Sequence, residues 1–240
     1  MTADGWTRAV RRQLGLGRLL PLGGARDGAW IVEQAAVAVL ERAAHDLPGV
    51  RLEAVRIAPV DPERAAEPAV PAPPSALWPG PLRVSAEFAA TAAEPLPTVA
   101  DALRATLAGA ADRRLGLTVT EVDLRVTALL EQAPEPAGRT AQDPPPTRDP
   151  APGDEARVAE AALAVPGVTA LTATLAALGR PVHIEERPAG TSLPGRHVRV
   201  EIAVFRAYRA VDVAREVRTA VSAALTDHPT VAVLVTDIAG

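Results

Sequence analysis

The sequence predicts an α+β protein made of two similar small units, each a small β-sheet with helices packed on one face. Three observations support this fold class. Sequence blocks occur twice in the same order, a proline-rich stretch separates the two occurrences, and segments with apolar residues at every second position stand beside segments with helical spacing. The 240 residues are enough for two units of roughly 100 residues each.

Four sequence blocks of the first half recur in the second half. The separation between matching blocks decreases steadily from 118 to 109 residues, as it would if the second copy had shorter loops. The pattern predicts a tandem duplication, and chance matches among the abundant Ala and Val residues are the alternative. The matching blocks begin at Leu47 and Val165, Leu82 and Val198, Val99 and Val213, and Val122 and Val231.

Four segments are predicted as strands. Residues 82–88 and 198–204 alternate large apolar side chains with polar or small ones, which is typical of half-buried strands. Residues 122–129 and 231–238 carry alternating or continuous apolar side chains and close the two units.

Helices are predicted before and between these strands. Alanine-rich helical stretches precede both Pro-Gly-Val blocks. Residues 98–115 keep helical spacing, with Thr98 and Asp101 as a candidate capping box, and the matching helix of the second unit starts near Asp212 as a candidate N-cap.

Two segments collect most of the prolines and suggest the domain boundaries. Eight prolines lie between residues 59 and 81, and seven between residues 133 and 153. Because proline lacks an amide hydrogen and fixes φ, neither stretch suits a central strand or a helix interior. We interpret the first as a loop within the first unit and the second as a linker without regular structure. The division is an N-terminal segment 1–26, a first unit 27–130, a linker 131–153 and a second unit 154–240.

Composition excludes several functions. The net charge of −4 disfavours a nucleic-acid partner, which requires a positive field. All 25 basic residues are arginines and there is no cysteine, so a Schiff-base or Walker A lysine, a thiol nucleophile, a disulfide and a cysteine-bound metal are excluded. No apolar run has the length of a signal peptide or of a membrane span, and we expect a soluble, cytoplasmic protein.

Four motifs of small and apolar residues follow one another in the second half: Pro-Gly-Val at 166–168, Val-Arg-Val-Glu-Ile-Ala-Val-Phe at 198–205, Asp-Val-Ala-Arg-Glu-Val-Arg at 212–218 and Val-Thr-Asp-Ile at 235–238. Together they resemble the alkaline shock protein family of bacterial general stress proteins. The resemblance covers residues 161–239 and, less closely, residues 31–130, so that each unit is an alkaline-shock-like repeat.

The resemblance implies a non-enzymatic protein of the envelope stress response or homeostasis. It implies a cytoplasmic location, a membrane-anchor protein as partner and self-association, and it brings no catalytic or cofactor-binding residues. Tandem copies, the proline-rich insertion after Pro59 and the basic start of the chain depart from the single-domain pattern of the family.

The second-unit hairpin is the one place where a metal site is conceivable from the sequence. His183 and Glu185 share one face of a predicted strand and His197 begins the next, so pairing brings two imidazoles and a carboxylate close. The simpler interpretation is a solvated hairpin, because Arg187 and Arg196 crowd the same loop. We therefore assign no metal, no cofactor and no catalytic residue. A small enzyme or ligand-binding protein that uses a groove between the two repeats is the alternative function.

The start of the chain is basic and amphipathic. A helix over residues 5–16 places three apolar side chains on one stripe and three arginines opposite, and residues 1–26 carry a net charge of +4. Such a helix makes a weak, reversible contact with an anionic membrane surface or an acidic partner, or else packs on the protein itself. The candidate contact residues are Trp6, Arg8, Val10, Arg11, Arg12, Leu14 and Arg18. Exposed sheet edges are the other predicted contact surfaces, for a partner or for self-association.

Overall fold

The computed structural model describes residues 17–132, 149–175, 180–187 and 195–240. These residues form two β-sheets and four α-helices. In chain order the elements are β1 (Leu19–Leu22), β2 (Ala29–Val32), α1 (Glu33–His45), β3 (Val50–Pro59), β4 (Leu82–Thr91), α2 (Leu96–Ala110), β5 (Val119–Leu130), α3 (Asp154–Leu163), β6 (Val168–Leu171), β7 (Val182–Arg187), β8 (Gly195–Phe205), α4 (Ala210–Ala224) and β9 (Thr230–Ala239).

The strands pair in both directions in each sheet. In the smaller sheet β4 lies between β3 and β5, antiparallel to β3 and parallel to β5. In the larger sheet the order is β1-β2-β9-β8-β6, and β7 also pairs with β8. β8 is parallel to β9 and antiparallel to β6 and β7. The predicted α+β fold class is confirmed.

Helices cover the sheets through their apolar sides. α3 and α4 pack on each other, on β6 and β7 and on β9, while α1 contacts both β3 in the smaller sheet and β9 in the larger one. The buried apolar residues of both sheets belong to one continuous hydrophobic cluster. The two predicted units therefore share a core.

The corner between helix and strand is built alike in both halves. Pro48-Gly49 joins α1 to β3, and Pro166-Gly167 joins α3 to β6. The glycine carbonyl accepts a hydrogen bond from the Thr91 amide at 2.9 Å in the first corner and from the Phe205 amide at 2.8 Å in the second. Both glycines have positive φ, +73° and +94°. These similarities support the duplication and the domain division, which stay predictions.

The hairpin of β1 and β2 connects the start of the described chain to the second half. β2 pairs in parallel with β9, with Ala29 opposite Val233. Leu20 and Leu22 of β1 are fully buried. The boundary predicted at residue 26 therefore falls inside a core hairpin, and residues 19–22 are not part of a separate surface segment.

The proline-rich loop after β3 packs across this hairpin. The Leu77 amide donates to the Leu19 carbonyl at 2.8 Å, and Trp30 Nε1 donates to the Leu77 carbonyl at 3.1 Å. Val70 of the same loop is buried. Its only helical piece among the described residues is the short 3-10 turn Pro62–Arg64. Most of the linker, residues 133–148, lies outside the described residues, so its predicted lack of structure stays a prediction.

Both long helices begin before the residues predicted as their caps. α2 begins at Leu96, so the capping box at Thr98 is wrong; a proline occupies the first turn, where its missing N–H costs nothing. α4 begins at Ala210, so the N-cap at Asp212 is also wrong. Its carboxylate lies instead in the first turn, beside the positive end of the helix dipole.

The turn after α2 depends on a glycine. α2 continues into one π turn, Ala111–Leu115, which Gly116 ends at φ +86°. A Cβ atom at this position would collide with Val211 of α4. The Gly116 carbonyl also accepts the Gly23 amide at 3.0 Å. Gly116 thus permits α2, α4 and the β1–β2 hairpin to meet.

We expect Gly116→Ala to lower the free energy of unfolding by about 2 kcal/mol, because alanine combines an unfavourable φ with a steric clash. Urea unfolding followed by circular dichroism measures the change. Gly80→Ala is the matched control, since its φ is not positive and the nearest atom to an added Cβ is 3.5 Å away. Equal stability of the two variants would show that Gly116 is not required.

Three segments meet at the guanidinium of Arg196, at the start of β8. Its Nε donates to Asp227 at 2.7 Å, and its Nη1 pairs with Asp154, the first residue of α3. The hydrogen bonds from Arg196 hold the pKa values of both Asp227 and Asp154 below the usual range. This pair of carboxylates binds its protons less readily in the folded chain than in the unfolded one.

The sign of this shift predicts an acid-sensitive contribution to stability. The stabilisation from these ion pairs is complete above the pKa of an aspartate in the unfolded chain, about 4, and is lost as the pH falls below that value. We expect Arg196→Gln to flatten the decrease in the urea midpoint between pH 6 and pH 3. Arg206→Gln, which replaces an exposed arginine, should show the same dependence of the urea midpoint on pH as wild type. Identical profiles for Arg196→Gln and wild type would contradict this role.

Candidate functional site

Of the predicted contact residues, the structure describes only Arg18. Its Nη2 donates to the Ile57 carbonyl at 2.6 Å and lies 3.4 Å from the Glu33 carboxylate. Arg18 therefore links the start of α1 to β3, although its side chain is 44% exposed. The other predicted residues lie outside the described residues, and their contact role stays a prediction: Trp6, Arg8, Val10, Arg11, Arg12 and Leu14.

The strands of the predicted histidine hairpin pair with each other. β7 and β8 place Glu185 opposite His197 and His183 opposite Arg199, on one face. His197 is buried, with Nδ1 2.8 Å from the Thr230 hydroxyl, whereas Glu185 is exposed. Burial, and then the charge of Arg199, lower the pKa of His183. Within the described residues no group of three or more potential ligands is arranged around a metal position.

A buried carboxylate that the sequence did not reveal lies on the same face of β8. Glu201 is 1% exposed, and its Oε2 accepts the amides of Thr174 at 2.7 Å and Leu175 at 3.0 Å. Beside it, the hydroxyls of Thr172 and Thr236 lie 2.6 Å apart. These bonds hold the connection after β6 down on the sheet. The prediction that β8 is only half buried is therefore wrong, because this connection covers its polar face.

We expect Glu201→Gln to destabilise the fold by about 1–3 kcal/mol, since the amide retains the shape but loses charge-assisted hydrogen bonds to buried N–H groups. Urea unfolding at pH 7 measures it. Glu186→Gln is the matched control, because Glu186 is exposed on neighbouring β7. If both substitutions have effects below about 0.5 kcal/mol, the carboxylate does not anchor the connection.

The best candidate for a functional surface is an apolar corner in the second half of the chain, where β8 ends. Phe205 at the end of β8 is 40% exposed, and Tyr208 before α4 is 45% exposed. The Tyr208 ring lies over the turn at Gly167, within about 3 Å of where a Cβ there would be. The chain contains one tyrosine and two phenylalanines, so half or more of each type is exposed at this corner.

A groove between α3 and α4 continues this corner. Its volume is about 470 Å³, it is shallow and mostly open to solvent, and Pro166 lines it beside the Tyr208 turn. We define the Pro166 surface as this groove together with Phe205 and Tyr208. Its lining residues, most of them small or apolar, are Ala161, Ala164, Val165, Pro166, Arg215, Glu216, Thr219 and Ala220.

Some of the charged side chains around the Pro166 surface form ion pairs within the protein. Arg215 binds Asp27 at 2.9 Å and Asp212 at 2.9 Å, and the hydrogen bond from Arg215 keeps the pKa of Asp27 low. Arg206, next to Phe205, is exposed, and Arg114 donates to its carbonyl at 3.4 Å. The surface therefore offers apolar contact area with charges of both signs beside it, the exposed Arg206 next to Phe205 and the exposed Glu216 in the groove.

The chain matches no protein-family model, no curated protein and no solved structure. The resemblance to the alkaline shock family thus stays a prediction that rests on the motifs. Among the described residues, none of the helices combines the length and the apolar character needed to cross a bilayer.

Proposed function

We propose that this protein is a non-enzymatic interaction protein of bacterial envelope stress response or homeostasis, similar in role to the alkaline shock family. It works in the cytoplasm through contacts with other proteins, including a membrane-anchor protein, and its basic N-terminal segment makes a weak contact with the inner face of the membrane. The observation that carries the proposal is the Pro166 surface, where the exposed aromatic side chains meet an open apolar groove.

The chemistry of the Pro166 surface suits a protein partner. Tyrosine and phenylalanine are enriched at the centre of protein interfaces, because they bury a large area at little cost in conformational entropy. A groove between two helices accepts apolar side chains spaced along a helix or an extended segment. The exposed Arg206 beside Phe205 can contact an acidic residue of the partner, and the exposed Glu216 in the groove can contact a basic one.

Membrane contact is assigned to residues 1–16 alone. They contain most of the predicted contact residues, whereas Arg18 is bound to Ile57 and Glu33 and residues 19–22 form a core strand. A short apolar stripe with a few arginines gives reversible attachment, so a separate anchor protein is part of the proposal.

A small-molecule binding role is the alternative function. The groove volume of about 470 Å³ lies in the range of ligand pockets. However, the groove lies between α3 and α4 of the second unit, and its walls are largely apolar, with Arg215 already held by two aspartates. The protein-contact function therefore agrees better with its chemistry.

We expect the double substitution Phe205→Ser and Tyr208→Ser to reduce recovery of the partner about tenfold or more, because both interface rings are removed. Affinity purification after crosslinking in the native cells, with quantitative mass spectrometry, measures this. Trp78→Ser is the matched control, since Trp78 is 51% exposed on the proline-rich loop, away from the Pro166 surface. Melting temperatures should stay close to wild type. Unchanged recovery would contradict the assigned surface.

The membrane component is tested with the chain lacking residues 1–16. We expect the full chain to sediment with vesicles containing phosphatidylglycerol at low salt, and the shortened chain to stay in the supernatant with a melting temperature close to that of the full chain. Neutral phosphatidylcholine vesicles are the control. Equal sedimentation of both chains would contradict the membrane contact proposed for residues 1–16.

A further inference from the structure

β5 is an exposed edge strand with one unpaired side. It pairs with β4 on one side, and no strand of the described residues pairs with its other side. Val126 is 39% exposed and Leu129 is 61% exposed. An edge strand with free amides and carbonyls accepts another strand.

The two faces of β5 have different chemistry. Its register with β4 places Asp123 beside Ser85 and Arg125 beside Glu87, on the open face of the smaller sheet. Val122, Leu124 and Val126 lie on the opposite face. Irregularities in the pairing occur near Thr120 and Thr127, so the intervening strand is regular.

The charges of β5 are complementary to themselves in one antiparallel register. When two copies pair about Leu124, Asp123 of each copy opposes Arg125 of the other, and Val122 opposes Val126. Shifting the centre to Asp123 pairs Glu121 with Arg125 but places Asp123 opposite its own copy, and shifting it to Arg125 places Arg125 opposite its own copy. Of these three registers, only the one centred on Leu124 has no pair of like charges. Registers shifted by one residue would pair opposite faces of the strand.

Ion pairs already present on this face extend the pattern. Arg83 on β4 donates to Glu121 at 2.6 Å and lies 3.4 Å from Asp123, whereas Arg125 lies 3.3 Å from Glu87. The Asp123 and Arg125 side chains are nevertheless 66% and 79% exposed, so each retains a free side. Pairing two copies would continue a row of alternating charges across the two-fold axis.

We propose that two copies of this chain associate through antiparallel pairing of β5 with β5, centred on Leu124, to form one continuous six-stranded sheet. The occupant of the edge is thus a second copy of the same chain. The proposal rests on the proposed protein-contact function and names one of its partners. A single strand pair buries less area than a standard interface, so we expect a weak, concentration-dependent dimer.

The test is a charge exchange followed by sedimentation velocity over a concentration series. Asp123→Arg alone and Arg125→Asp alone each place like charges opposite each other at two positions, and each should weaken dimerisation about tenfold or more. The double variant carrying both substitutions restores opposite charges and should dimerise like wild type. An equimolar mixture of the two single variants should also dimerise, because each position then faces its complement.

Matched controls separate this edge from folding and from the other edge of the sheet. Arg56→Asp changes an exposed arginine on β3, the opposite edge strand, and should dimerise normally. Since the chain has no cysteine, Leu124→Cys provides a second measurement: this variant should form a disulfide-linked dimer, and Arg56→Cys should not. If mixing the two single variants restores dimerisation, both variants must be folded, so their loss of dimerisation when alone is not a folding defect.

The proposal is overturned if wild type stays monomeric at several hundred micromolar, if the single variants dimerise as well as wild type, or if mixing them restores nothing. Loss of dimerisation in Arg56→Asp would also overturn it, since β3 would then be the contact. None of these results bears on the contact assigned to the Pro166 surface, because recovery of that partner is measured in a separate experiment. Conversely, loss of that partner contact leaves the β5 dimer intact.

Discussion

Parallel pairing between β2 and β9 is the constraint on which the rest of the structure depends. It joins the start of the described chain to its end, with Ile31 opposite Val235, both fully buried. Such a pairing brings together residues about 200 positions apart, which carries a large loop-closure cost. The Asp27–Arg215 ion pair beside it links the same hairpin to α4. Because β2 lies between β1 and β9, the larger sheet contains strands from both halves of the chain and becomes the centre of the core.

This arrangement leaves the two sheets in different surroundings. The larger sheet is covered on both faces along β8 and β9, while the smaller sheet keeps one face and its β5 edge open among the described residues. Strands β4 and β8 alternate apolar and polar residues in nearly the same way, but their polar faces have different surroundings. Glu87 of β4 lies on an open face, whereas Glu201 of β8 lies under the connection after β6. A carboxylate in the second position must be hydrogen-bonded, because burial without partners is costly.

The surfaces available for function follow from the same asymmetry. A sheet with covered faces contacts partners at its ends or along its edge strands, and the Pro166 surface lies at one end, where β8 leaves the core and α4 begins. The smaller sheet has its free edge at β5, whose charges alternate along the open face. One site is apolar and aromatic, and the other relies on backbone pairing and charge, so they suit different partners without competing.

The sequence by itself determined the α+β class, the alternating strands β4 and β8, and the amphipathic helices, since these depend on periodicity along neighbouring residues. It also indicated that the strand carrying His183 and Glu185 pairs with the strand after His197, because neighbouring strands form hairpins, but the register came from the structure. Only the tertiary structure decided that β1 and β2 join the larger sheet, that Glu201 is buried, and that Phe205 and Tyr208 remain exposed. These outcomes depend on contacts between residues far apart in the chain, and local patterns of polarity carry no information about what will cover them.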